Sequence, residues 1–551
     1  MNPKLNESEK EKTKKVLVTD HISEEGIKKL REFAEVDVEL ELSKEELVKH
    51  IVDYDALVVR SGTKVTKEII EAGSKDKGKG EGKLKVIGRA GVGVDNIDVE
   101  TATEKGIMVV NAPAANTISA AEHTIAMLLG LSRKIPAANV SLKSGVWERK
   151  KHMGVEVNGK VLGIIGLGRV GSEVVKKAKG LGMRVIAYDP FISQDRAGEL
   201  GITLSGFKEV LSFADFISLH TPLTKETHHM VGAKEFELMK DGVRVINCAR
   251  GGLIDERALK DAIKSGKVAG AALDVFEEEP PSSGERELLE LEEVVVTPHL
   301  GASTEEAQKA AAIIIAEEVI NALMNKPVRN AINMIYVEEE LMGAIKPYLV
   351  LADKLGRLSA QLIPKSSRTE QFEVSYEGEI GAGGVGAGTG IAGNTGLITV
   401  AMLKSFLSWF IDGVNYVNAE TIAKKFGIKV TESKTETIEN FSSLISITTT
   451  TQSEKKRTVA GTLFGKDDLR IVRLDGFRVD APPSGYMLLC SFSDKPGVIG
   501  PVCTILGDRG INIAGMQVGR EKAGGEAGMV LNVDSSVGED TMEEIKKVEN
   551  I

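Results

Sequence analysis

The stretch Lys160–Leu181, KVLGIIGLGRVGSEVVKKAKGL, constrains the fold more than any other part of the chain. An apolar, β-branched run leads into Gly166-Leu167-Gly168-Arg169-Val170-Gly171, and the third glycine opens an amphipathic helical pattern. A strand, a glycine turn and a helix in that order bring free helix amides and the positive end of the helix dipole to one point, where a pyrophosphate can lie. Asp189 closes the next strand pattern, RVIAYD, 23 residues after Gly166. A carboxylate there accepts hydrogen bonds from both ribose hydroxyls of NAD and repels the 2′-phosphate of NADP, so NAD is the expected cofactor. The same glycine spacing recurs from Gly381 to Gly386 and from Gly388 to Gly393, inside a glycine-rich run that ends at Gly396. Neither copy opens a helical pattern at its third glycine, so a flexible loop is expected there.

From Lys15 onward, short β-branched runs alternate with amphipathic stretches: KVLVTD, EEGIKKLREF, VDVEL, KEELVKHIVDY and ALVVRS. This alternation predicts parallel sheets with helices on both faces. Ser74–Lys83, SKDKGKGEGK, interrupts it with glycine and charge and reads as a solvated loop insertion. Strand patterns continue through IMVVNAP, DFISLH, VRVINCA, GAALDVF and VVVTPH, too many for one ordinary open sheet. Two doubly wound α/β units are therefore expected. After the helical pattern EEAQKAAAIIIAEEVINALMN, a proline and asparagines in KPVRNAIN break the periodicity, which places a boundary near residue 330. Residues 331–480 lose the strict alternation and read as an α+β domain. APPSG, Ala481–Gly485, reads as a linker. Residues 485–551 read strand, helix, strand, strand, helix, one strand short of a ferredoxin-like unit.

With 42% hydrophobic residues in 551, the chain has ample material for three or four cores. A formal net charge of −10 argues against nonspecific nucleic-acid or membrane binding, so an anionic ligand requires a local basic pocket. Cys248, Cys490 and Cys503 are too few and too scattered for a disulfide framework or a metal cluster, and no metal is expected. The polar N-terminus carries no apolar signal core, and no run of about 18 apolar residues occurs, so a cytoplasmic, membrane-free protein is expected.

Three polar residues close successive strand patterns after the glycine turn: Arg250 after VRVINCA, Glu279 past AALDVF and His299 after VVVTP. Taken singly, they read equally as a turn arginine, a solvated glutamate and a capping histidine. Strand carboxyl ends line the ligand crevice of an open α/β sheet, so the three are expected to converge there. Hydride chemistry on a 2-hydroxy acid needs a base for the hydroxyl proton, a partner for that base and a cation for the carboxylate. Histidine, glutamate and arginine fill those roles. Arg60 and Ser61 follow the strand ALVV, and Arg89 follows KVIG, so two more guanidiniums and a hydroxyl can meet a dianionic phosphate.

With VVRSGTKVT, GRAGVGVDNID, GKVLGIIGLGRVG, NCARGGLIDERAL, GAALDVFEEEPP and TPHLGAST in place, the chain resembles the D-isomer-specific 2-hydroxyacid dehydrogenase family over nearly its whole length. The resemblance implies a flavodoxin-like substrate domain, residues 14–112 and 299–330, with an NAD-binding Rossmann domain, 113–298, inserted in it. Among long members of the family, it points to those that oxidise D-3-phosphoglycerate to 3-phosphohydroxypyruvate, the first step of phosphorylated L-serine biosynthesis. It implies that Arg250 orients the substrate carboxylate, that His299 is the acid/base, and that Glu279 raises the imidazole pKa. It places NAD contacts on Gly166, Gly168, Arg169, Val170, Gly171, Asp189, Thr221, Cys248, Ala249, Asp274, Gly301 and Ala302. Arg149 or Lys150 in WERKK would reach a partner subunit's site.

SDKPGVIG and DRGINIAGMQVGR resemble the ACT domain, a ligand-binding regulatory module that pairs across subunits. That likeness implies L-serine as an effector held by Asp494 and Asn512, with Phe492 where some members carry histidine, and a homodimer or homotetramer. The last strand of that module would begin where this sequence ends. Lys346 and Lys404 in the 331–480 domain are weighed as contacts for an anionic effector and as ordinary solvated lysines. Two other functions fit many of the same motifs: a hydroxypyruvate, glyoxylate or D-lactate type reductase, and an NAD-sensing corepressor.

Overall fold

Strands that are apolar on both faces stay dry only between two layers of helices, and Ala56–Val59 and Phe216–Leu219 are buried along their whole length. The computed structural model describes residues 14–76, 80–281, 286–364, 366–382, 394–437, 440–520 and 522–551. The first sheet has five parallel strands in the spatial order Glu35–Val38, Lys15–Val18, Ala56–Val59, Val86–Arg89 and Met108–Val110. This is the flavodoxin-like order 2-1-3-4-5. The second sheet has seven parallel strands in the order Thr203–Leu204, Arg184–Tyr188, Val161–Ile165, Phe216–Leu219, Val243–Asn247, Val268–Leu273 and Val294–Val296. Its first six strands follow the Rossmann order 3-2-1-4-5-6, with a seventh added at one edge.

The chain passes between the two sheets twice, in helices Thr117–Ser132 and Glu305–Leu323. Thr304 caps the second helix by accepting the Ala307 amide, and its hydroxyl lies 2.7 Å from that of Ser119 in the first. Helix Glu305–Leu323 then lies on the first sheet, where Ile315, Ala316, Val319 and Leu323 join the core formed with Val16, Val58 and Val86. Asn333 anchors the end of this return segment: its Oδ1 accepts the Val109 amide, and its Nδ2 donates to the Ile107 carbonyl.

The next sheet is mixed, in the order Lys429–Thr435, Thr369–Gly378, Ser443–Thr451, Lys456–Phe464, Asp468–Leu474 and Phe477–Ala481. Helices Glu339–Gln361 and Thr395–Leu407 contribute Ile345, Leu355, Met402 and Phe406 to its core. Asn415 Nδ2 donates to the Gly106 carbonyl and ties this domain to the first. The last module is a three-stranded antiparallel sheet, Tyr486–Ser493, Glu526–Val533 and Ile513–Arg520 in spatial order, with helices Ile499–Asp508 and Glu539–Ile545. Asn532 pins the preceding linker by donating to the carbonyls of Pro482 and Ser484.

Two expectations change. The charged insertion at Ser74–Lys83 is not wholly irregular, because Lys75–Asp76 pairs with Gly80–Glu81 in a short antiparallel ladder. Most of the two later glycine repeats, residues 383–393, lies outside the described residues. Among the described residues, no helix is long and apolar enough to cross a membrane.

The return helix generates a stability prediction. Ile315→Ala removes a fully buried side chain from the first core and is expected to lower stability by about 2–5 kcal/mol. Urea unfolding with an unshifted midpoint would count against the docking of this helix.

Candidate active site

His299 follows the edge strand Val294–Val296 and adopts a left-handed conformation, φ 53°, unusual for a side chain of its size. The strain is held by hydrogen bonds. The His299 amide donates to the carbonyls of Asp274 (2.9 Å) and Thr297 (3.0 Å). The Asp274 carboxylate accepts the Thr297 hydroxyl at 2.6 Å, the Leu300 amide at 2.7 Å and the Gly301 amide at 2.8 Å, with His123 Nε2 at 3.1 Å. Burial works to raise the Asp274 pKa, but the bonds from His123, Thr297 and Leu300 outweigh it and hold the carboxyl below its usual range.

On this loop His299 Nδ1 lies 2.7 Å from Glu279 Oε2. Glu279 is itself fixed by the Phe276 amide, 3.2 Å from its Oε1. Desolvation raises the Glu279 pKa, but the hydrogen bond and charge of His299 more than offset it, so the carboxyl stays ionised. A neutral imidazole that donates through Nδ1 carries its acceptor lone pair on Nε2. Arg250 comes from the turn after Val243–Asn247, where Asn247 Nδ2 donates to the Arg250 carbonyl and Arg250 Nη1 donates to that of Ala249.

A cavity of about 360 Å³ brings these residues together across both domains. Arg60, Ser61 and Arg89 line it from the first sheet, and Arg250, Glu279 and His299 line it from the second. Arg89 Nε is buried without a hydrogen bond among the described residues. Burial, and next the field of Arg250, push the Arg89 guanidinium below its usual range, with Arg60 adding repulsion and Asp95 opposing it. It remains charged, as guanidinium does in proteins. The site is thus a cluster of like charges suited to a multiply charged anion.

The glycine turn fits a dinucleotide. Gly166 has φ 97°, and a Cβ there would lie 2.7 Å from the His220 carbonyl oxygen; one on Gly171 would lie 2.1 Å from that of Gly166. At Gly168, which precedes helix Arg169–Gly180, no protein atom lies within 4 Å of a built Cβ, so the backbone edge is open to a phosphate. Arg169 is exposed and Val170 half-buried on the first helical turn. Asp189 accepts the Leu167 and Phe191 amides at 2.8 Å each, which holds the carboxylate beside the turn.

Thr221 packs its methyl beside Gly166, and Ala302 lines the cavity. Cys248 is half-buried beside Asp274; burial and then that carboxylate push its thiol up to about 12, so it stays protonated. Asp274 and Gly301 meet each other beneath the histidine loop.

The expected effector residues are separated in one copy. Asp494 Oδ2 accepts Arg520 Nη1 (2.9 Å) and the Gly524 amide (3.0 Å), whereas Asn512 Nδ2 donates to Asp534 (2.7 Å). The register pairs Ser493 with Glu526 and Ile513 with Val533, so the two residues stand at opposite ends of the sheet, roughly 24 Å apart by strand rise. Phe492 points into the module's core. Arg149 and Lys150 are exposed and do not line the chain's own cavity, and Lys346 is exposed. Lys404 is held over the Tyr416 ring and near Asp353.

Sequence patterns did not single out Asp95, His123 or the glycines of GRAGVGVDN for their roles here. Asp95 Oδ2 lies 3.6 Å from Arg250 Nε. A Cβ on Gly91 would lie 2.1 Å from Arg89 Nη1, and one on Gly93 would lie 2.6 Å from Arg250 Nη2. A glycine-rich segment directly after Arg89 was the available signal.

Asp274 generates a pH prediction. Its depressed folded pKa contributes stability that is present above the ordinary value of about 3.9 and is lost as pH falls through the folded value. Asp274→Asn is expected to be less stable than the parent near pH 7, with the gap narrowing in acid below about pH 4. Unfolding midpoints across that range would expose the reverse trend or a constant gap.

Residues 125–301 match the family model for the D-isomer specific 2-hydroxyacid dehydrogenase NAD binding domain, 344–475 that for the D-3-phosphoglycerate dehydrogenase intervening domain, and 486–550 that for the ACT domain. The chain is 48% identical over 540 residues to D-3-phosphoglycerate dehydrogenase of Methanocaldococcus jannaschii, with 98% of each chain covered. It is 42% identical over 538 residues to the Bacillus subtilis enzyme of the same name, again with 98% of each covered. A D-lactate dehydrogenase structure from Aquifex aeolicus, complexed with NAD and lactic acid, aligns at 30% identity and TM-score 0.50, covering 56% of this chain and 96% of that one. A glyoxylate reductase structure from Paecilomyes thermophila aligns at 30% identity and TM-score 0.52, covering 58% and 98%. With near-complete coverage by such relatives and an arginine-lined His–Glu site between two parallel sheets, the chain belongs to the D-3-phosphoglycerate dehydrogenases, within the NAD-binding D-isomer specific 2-hydroxyacid dehydrogenases.

Proposed function

We propose that Arg250, Glu279 and His299 carry the NAD-dependent oxidation of the C2 hydroxyl of D-3-phosphoglycerate to 3-phosphohydroxypyruvate. The observation behind this reading is the convergence of Arg60, Arg89 and Arg250 on a cavity that also holds the His299–Glu279 pair. A 2-hydroxy acid that also bears a phosphate carries about three negative charges near neutral pH. Three guanidiniums balance that charge, whereas a lone carboxylate leaves them repelling one another.

In this assignment Arg250 grips the carboxylate and polarises C2–O, and Arg60, Ser61 and Arg89 hold the phosphorylated end. His299 Nε2 takes the hydroxyl proton, while Glu279 keeps the ring oriented and balances the imidazolium that forms. Bound NAD supplies the acceptor for the hydrogen and electron pair that leave C2. Gly166, Gly168, Arg169, Val170 and Gly171 would hold its pyrophosphate and Asp189 its ribose, with Thr221, Cys248, Ala249, Gly301 and Ala302 along its path. Asp274 acts mainly by fixing the His299 loop.

We assign the ACT module to L-serine feedback. Because Asp494 and Asn512 stand at opposite ends of the sheet, one ligand meets both only between two copies, which supports a homodimer or homotetramer. The exposed apolar side chains of Ile135–Lys143 and its flank, with Trp147 and Met153 each 75% exposed, also support self-association. Three free cysteines fit a reducing, cytoplasmic setting.

His299→Ala is expected to lower kcat on D-3-phosphoglycerate by roughly 100-fold or more, with NAD affinity retained. An unchanged kcat refutes the assignment of the base. Titration with L-serine should show binding and loss of rate; isothermal calorimetry and initial rates that register neither would remove the effector from the proposal.

A further inference from the structure

The cavity has one polar side chain that the chemistry above leaves unused. His21 follows strand Lys15–Val18 and lines the cavity with Arg60 and Ser61. Lys15–Val18, Ala56–Val59 and Val86–Arg89 are adjacent parallel strands. His21, Arg60 and Arg89 therefore leave the first sheet side by side, roughly 5 Å apart from strand to strand. Arg250, Glu279 and His299 enter from the second sheet. The field of both Arg250 and Arg60 reaches Arg89, which places it between the two ends of the cavity.

Asp20, next to His21, does not oppose an anion there with a free carboxylate. Its Oδ2 accepts the amides of Arg60 (2.5 Å) and Thr63 (3.1 Å), and its Oδ1 accepts the Thr63 hydroxyl (2.9 Å). Those bonds fix the turn that presents Arg60 and Ser61. A substrate gripped at C1 by Arg250 and at C2 by His299 extends its C3 oxygen toward the first sheet, where His21 stands beside that turn.

We propose that His21 is a specificity-determining residue that donates an N–H to the substrate phosphate and sets the preference for phosphorylated over unphosphorylated 2-hydroxy acids. Imidazole offers at least one N–H in either charge state, and an N–H donated to a phosphate oxygen is charge-assisted. The inference rests on the proposed phosphoglycerate reading and deepens it.

The test is steady-state kinetics with D-3-phosphoglycerate, together with the inhibition constant of D-glycerate, which lacks the phosphate. His21→Ala is expected to raise KM for D-3-phosphoglycerate about tenfold, with kcat within about twofold of the parent and the D-glycerate constant unchanged. His21→Gln, which keeps an N–H donor, should recover part of the loss. An unchanged KM in His21→Ala overturns the inference, as does a parallel loss of D-glycerate affinity, which would mean that His21 only shapes the cavity. NAD binding checks that each variant is folded; should His21→Ala lose it, His21→Leu serves as the donor-free variant. A parent protein that does not turn over D-3-phosphoglycerate would instead sink the underlying functional reading.

Discussion

The Asp274 carboxylate is the interaction on which the rest of the site depends. It gathers the Thr297 hydroxyl and the amides of Leu300 and Gly301, while its own carbonyl takes the His299 amide. A histidine at φ 53° keeps that conformation only because its neighbours over-determine it. With the loop fixed, the ring meets Glu279 and the other nitrogen remains available to a substrate hydroxyl. His123, from helix Thr117–Ser132, reaches the same carboxylate, so the chain's first passage between the domains also braces the catalytic loop.

The second constraint is charge. The chain as a whole is acidic, yet its cavity collects Arg60, Arg89 and Arg250. Guanidiniums crowded in a partly buried space repel one another, and the shift of Arg89 records it. Glycines at 91 and 93 make the crowding sterically possible by leaving room for the Arg89 and Arg250 side chains. The result favours a polyanion over a monocarboxylate, which separates the proposed substrate from glyoxylate and lactate on physical grounds.

The two C-terminal domains are attached to this machinery at definite points. Asn415 bonds to Gly106, just before the edge strand Met108–Val110, and Asn333 bonds along the same strand. That strand leads directly into the first interdomain helix. The ACT sheet separates Asp494 from Asn512 along its length, so an effector that touches both must bridge copies.

Much of this was legible in one dimension. Periodicities of two and near 3.6 mark strands and helices locally, so the doubly wound units, the domain order and the α+β character of residues 331–480 could be read directly. The dinucleotide turn was equally plain, because strand, glycines, helix and Asp189 lie within one continuous stretch. Arg250, Glu279 and His299 were visible as strand-end residues. What sequence could not supply was contact between distant segments: the link of Asp274 to loop 297–301 through His123, the proximity of Asp95 to Arg250, and the entry of His21 beside Arg60. Those depend on which strands become neighbours and on how two sheets face each other. The sequence by itself determined the elements, the cofactor turn and the chemical types of the catalytic groups, because these are local. Only the tertiary structure decided which charges share the cavity, because packing brings residues 21, 60, 89, 250 and 299 within reach of one ligand.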